Sequence, residues 1–176
     1  MIGPPSSPTP ILRALLSAVH DGLAACERRP VETKFVAAGS VAWDDCCGQL
    51  VVAPERIYRS SEFPVEDTSM EQCFAGIIAI NVVVLLVRCV PTSDGQAHPP
   101  TGDELDAAYG ELLDDAGVVW SVLDGPLPDG WERANLSQTF VGDQGACVGV
   151  ETRVTIGVDQ SRWCLDCPQP PIEGID

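Results

Sequence analysis

The side chains in this chain best suited to chemistry are its eight cysteines: Cys26, Cys46, Cys47, Cys73, Cys89, Cys147, Cys164 and Cys167. Cys164-Leu-Asp-Cys167 has the CxxC spacing that clips one side of a tetrahedral zinc site when two further ligands arrive. Cys46 and Cys47 are adjacent, which is poor chelating geometry, and there is no second CxxC. Cys73, Cys89 and Cys147 lie beside or within apolar runs, where a cysteine packs as a small hydrophobe. Three states stay open for the sulfurs. Cys46, Cys47, Cys73, Cys89 and Cys147 are buried thiols, or they are oxidised to disulfides outside the reducing cytoplasm, or Cys164 and Cys167 take part in a zinc site.

Other reactive residues are sparse. The two histidines, His20 and His98, fall in a helical stretch and a proline-rich loop, neither beside a serine or cysteine in a triad pattern. No GxSxG, phosphate-binding loop or GxGxxG occurs. The acidic pairs Asp44-Asp45 and Asp114-Asp115 are expected by chance in so acidic a chain, and the second is read as the exposed side of a helix. A redox enzyme places its CxxC at a helix N-terminus, whereas Pro168 follows this one. The expectation is a protein without catalytic residues, cofactor or obligatory metal.

Charge narrows the partners. Twenty-six acidic against ten basic residues give a formal charge of -16 over 176 residues. That balance opposes specific binding to nucleic-acid phosphates and docking on anionic membranes. The longest apolar run, Ala75–Val87, is shorter than the ~20 residues a helix needs to cross a bilayer. The first residues, MIGPPSSPTP, lack the basic start and apolar stretch of a secretory signal, so synthesis and retention in the cytoplasm are expected.

The positioning elements follow from periodicity. Residues 1–10, with four prolines, read as an extended arm, and 161–176 as an extended proline-rich tail. Between them, 11–160 form one domain. Thr9-Pro10 reads as a helix start, followed by Ile11, Leu12, Leu15, Leu16, Val19 and Leu23 on one face. Thr33–Ala38 and Gln49–Tyr58 read as strands, the latter bulged or at an edge because of Pro54. Gly76–Val90 is a long buried strand, with a buried helix as the rival reading. Thr101-Gly-Asp-Glu104 is a capping box that opens a second helix running to about Asp124. Ser137–Val141 and Gly149–Val158 close the chain as strands. The order α-β-β-β-α-β-β predicts an α+β fold, a mostly antiparallel sheet with both helices on one face.

The run Trp43-Asp44-Asp45-Cys46-Cys47-Gly48-Gln49-Leu50-Val51-Val52 resembles neck proteins of long-tailed actinobacteriophages. So do Arg56, Phe63-Pro64, Cys73, Arg88-Cys89, Pro99-Pro100 and Gly142–Gly149. The element order is similar to that of the tail terminators, with the head-completion stopper of the same neck as the alternative. The proline-rich arm and the CxxC tail lie outside that pattern. The resemblance implies a structural virion protein at the head–tail junction, assembled in the host cytoplasm. It implies a homo-hexameric ring that caps the tail tube, contacts the major tail tube protein and the head connector or stopper, and lets genomic DNA pass without specific binding. A small thiol- or zinc-binding module is the third alternative. The polar loop Arg59–Met70 is the expected ring contact, through Arg59, Glu62, Phe63, Glu66 and Asp67, because a core does not need it.

Overall fold

The computed structural model describes residues 7–39, 48–68, 76–92, 99–144 and 146–159. Both arms, apart from residues 7–10, lie outside them. Helix α1 spans Thr9–Ala25 and begins one residue earlier than Thr9-Pro10 predicts. Pro8 is the cap residue, and the Thr9 N–H is met by Ser7 Oγ at 3.3 Å. Its apolar stripe Ile11, Leu12, Leu15, Val19 and Leu23 is buried. The helix stops at a left-handed Glu27, with the Arg28 N–H reaching back to the Leu23 carbonyl at 3.0 Å.

Among the described residues five strands follow: β1 (Thr33–Val36), β2 (Gln49–Ser60), β3 (Ile77–Cys89), then β4 (Trp131–Gln144) and β5 (Cys147–Asp159) after helix α2 (Gly102–Asp124). They form one sheet in the order β1-β2-β3-β5-β4. Among the described residues only the short β1–β2 pairing is parallel, so the architecture is α+β with a mostly antiparallel sheet.

The run that admitted a buried helix is the central strand β3. Its even positions Ile80, Val82, Val84 and Leu86 pack under both helices. Its odd positions Leu85 and Val87 join Val51 and Cys147 in a second, smaller cluster on the opposite face. Two-sided burial explains why β3 reads as continuous apolar sequence rather than alternation. Beside Pro54 the β2–β3 register shifts, the bulge that proline demands.

Two expectations are corrected. Strand β4 is much longer than Ser137–Val141. Register shifts at Ala134/Ser137 and Val141/Gln144, with Asn135 in the left-handed region, break the period-two pattern that would have announced it. And Arg59 and Ser60 belong to β2, so the segment after it begins at Ser61 rather than at Arg59.

Candidate assembly surfaces and sulfur cluster

Asp115, expected on the exposed side of α2, is buried, while its neighbour Asp114 keeps 69% of its side chain exposed. One helical step of ~100° separates surface from interior here. Asp115 Oδ2 accepts from Arg88 Nε at 2.7 Å and its Oδ1 from Arg28 Nε at 2.7 Å. Arg88 also donates to the carbonyls of Arg29 (2.8 Å) and Pro30 (3.2 Å). The node joins α2, the end of β3 and the segment leaving α1. The Asp115 carboxylate, chiefly through its hydrogen bond, raises the Arg28 pKa above its ordinary value. Every charge in the node is paired, so it is a clamp rather than a reactive acid.

The face of the sheet away from the helices carries a strap, residues 61–68. Phe63 lies over Gly157, where an added Cβ would stand 2.8 Å from the ring, and Tyr58 Oη donates to the Pro64 carbonyl at 2.9 Å. Arg56 Nη2 meets Glu66 Oε1 at 2.6 Å, and the Ser61 hydroxyl donates to Asp67 Oδ1 at 2.7 Å. Of the expected ring-contact residues, Phe63 is thus turned inward, Glu66 pairs with Arg56 of β2, Asp67 binds Ser61 within the strap, and Arg59 and Glu62 are exposed. Next to the strap, Thr155 Oγ1 donates to Asn81 Oδ1 at 3.0 Å. This polar patch offers hydrogen bonds but no general base.

The sulfurs separate into two classes. Cys26 is an exposed thiol and Cys89 a part-buried thiol, whereas Cys147 is buried and disulfide-bonded. Cys89 and Cys147 are direct partners across β3 and β5, and Cys89 packs against the small cluster that holds Cys147. The Val90 N–H donates to the Ala146 carbonyl at 2.8 Å. Residues 90 and 146 are therefore a hydrogen-bonded pair, and 89 with 147 is the closer, non-hydrogen-bonded kind. Cys46, Cys47, Cys73, Cys164 and Cys167 lie outside the described residues, as do His98 and the Asp44-Asp45 pair. His20 sits on the surface of α1, its Nδ1 3.1 Å from Asp21 Oδ1, and that hydrogen bond holds the Asp21 carboxyl below its ordinary value. Among the described residues no three His, Cys, Asp or Glu side chains gather as a metal-binding group, and no helix is long and apolar enough to cross a membrane.

The feature that sequence reasoning missed is an apolar stripe outside the core. Around α2, the buried residues Leu112, Ala116, Val119 and Leu123 centre on one line, and Asp115 lies to the side that meets α1. Tyr109, Leu113 and Trp120 fall on the other side, roughly 60–100° round the axis from Leu112. They are exposed, Leu113 by 58%. That side faces β4, because Gln138 Nε2 of β4 donates to the Ala116 carbonyl at 2.9 Å. Phe140, two residues beyond Gln138 on the same sheet face, is 50% exposed and extends the stripe to the sheet edge. Three further exposed apolar side chains are spread over the opposite edge: Phe35 of β1 beside Val51 on the face away from the helices, Ile57 of β2 beside Ile80 on the helix face, and Val65 on the strap. The helical repeat absorbed Leu113 and Trp120 into a single broad stripe; only the offset from Leu112 separates them.

The two edges differ in charge. Helix α2 contains seven acidic residues and no lysine or arginine. The β1/β2 edge mixes Lys34, Arg56 and Arg59 with Glu55, Glu62 and Glu66. No protein-family model matches the chain, and no curated protein matches it.

Proposed function

We propose that this chain is a structural virion protein, a ring subunit at the head–tail junction of a long-tailed phage of actinobacteria. In this reading it caps the tail tube and joins it to the head connector around the DNA channel. The observation that carries the assembly part is the stripe Tyr109, Leu113, Trp120 and Phe140. A contiguous apolar surface beside a sheet edge marks a contact with another molecule.

The occupant is a second copy of the chain. An isologous contact would set one all-acidic α2 against another, and like charges across an interface are costly. The mixed-charge β1/β2 edge, with Phe35, Ile57 and Val65, is a better counterpart. Pairing two different surfaces is head-to-tail association, which makes a ring when the rotation between neighbours closes. The bulges in β4 turn its backbone away from strand addition, so side-chain packing is the mode of contact. The -16 charge suits the lumen of such a ring, since like charge keeps passing DNA from adhering.

The test is self-association read by light scattering, with Leu113→Asp and Ile57→Asp variants. The parent should form a closed oligomer and each variant alone should be monomeric. An equimolar mixture should stop at a dimer, because each variant keeps one good surface. A parent that stays monomeric at high concentration, or variants that assemble normally, would refute the ring. Labelling the chain in virion images then fixes its place. Label on the tail-tube side supports a terminator, label on the portal side a stopper, and label away from the neck rejects the reading.

A further inference from the structure

The geometry points to thiol–disulfide exchange inside the chain, with Cys89 as the attacking thiol and Cys147 as the sulfur attacked. The two residues face each other on neighbouring strands as a non-hydrogen-bonded pair. Such pairs hold their Cα atoms about 4.5 Å apart with side chains on the same face. That lies inside the ~4.4–6.8 Å range a disulfide spans. Cys147 already carries a disulfide, and Cys89 carries a free thiol. The sheet therefore places a third sulfur beside an existing S–S bond, with no backbone rearrangement needed for a new one.

The reaction balances without an outside oxidant or reductant. The Cys89 thiolate attacks Cys147 Sγ, forming the Cys89–Cys147 bond. The S–S bond that Cys147 held breaks, its electron pair leaves on the other sulfur, and that sulfur takes up the proton Cys89 gave away. Two sulfurs are oxidised before and after. What changes is the tether. The tether from Cys147 to its first partner sulfur becomes a link between two strands already paired, and that first partner is released as a thiol. Cys89 is only part-buried, so solvent and hydroxide reach its side of the cluster. The exchange does not depend on the assembly reading.

Mass-spectrometric disulfide mapping tests it. The full chain, purified without reductant, is held anaerobically at pH 8.5, sampled over time, quenched in acid, alkylated and digested. A Cys89–Cys147 linked peptide should grow in, matched mole for mole by loss of alkylated Cys89 and gain of one alkylated cysteine elsewhere. The Cys89→Ser chain should keep its original linkage throughout. Cys147 found reduced at the outset would overturn the proposal. So would Cys89 remaining fully alkylated in the folded chain while a denatured sample exchanges freely.

Discussion

Arg88 and Asp115 form an ion pair that is closed to solvent on both sides, the guanidinium 3% and the carboxylate 1% exposed, with Nε donating to Oδ2 at 2.7 Å. Arg28 supplies the second arm of the same carboxylate. Removing Asp115 leaves Arg88 charged and buried. Asp115→Ala should cost about 3–5 kcal/mol, read as a fall in the urea midpoint. Asp114→Ala, one residue away, removes an exposed partner of Arg28 and should change stability by less than about 1 kcal/mol. Equal effects from the two variants would contradict the clamp.

The α2 capping box gives a pH signature. The Thr101 backbone N–H donates to Glu104 Oε2 at 2.8 Å and the Thr101 hydroxyl at 2.9 Å, while the Glu104 N–H donates back to Thr101 Oγ1 at 3.3 Å. Those bonds, the backbone one foremost, lower the Glu104 pKa from its ordinary 4.5. A carboxyl lowered on folding adds stability that is complete above its unfolded value and is lost as pH falls through the folded one. The gap in thermal midpoint between the parent and Glu104→Gln should therefore hold from pH 7 down to about 5 and shrink below 4.5. Thr101→Ala should cost about 1 kcal/mol at neutral pH.

The far end of α2 has no basic residue in its last turn, and Arg133 of β4 does that work from outside. Its Nη1 donates to the Leu123 and Gly125 carbonyls, and its Nη2 pairs with Asp124 Oδ1 at 3.1 Å. Arg133→Met should cost about 1.5–3 kcal/mol, the worth of charged hydrogen bonds to otherwise unmet carbonyls. Amide hydrogen exchange should quicken first in the last turn of α2. Unchanged protection there would show that the C-terminus does not depend on Arg133.

Local chemistry made much of this fold legible in the sequence. The Thr101–Glu104 box and the apolar stripe of α1 are written within a few residues, and both helices followed from them, while the apolar run Gly76–Val90 pointed to the long β3. Pro54 announced its bulge for the same reason. What escaped depends on partners distant in sequence. Asp115 reads as a surface acid until Arg28 and Arg88, 87 and 27 residues away, are brought to it by the fold. Strand β4 escaped because its bulges scramble the alternation. The pairing of Cys89 with Cys147 is a matter of strand register, which spacing along the chain does not encode. Leu113 and Trp120 looked like core because a broad helical stripe conceals which of its flanks the sheet covers.

The irregular β4 has a consequence for how the chain fares at high concentration. A 14-residue outer strand in a protein that is 45% hydrophobic would ordinarily be a template for cross-β growth. Two interruptions in its ladder leave only short straight stretches, none matching the six or seven residues from which fibrils build. Newly made chains can then accumulate at high local concentration without their sheets fusing.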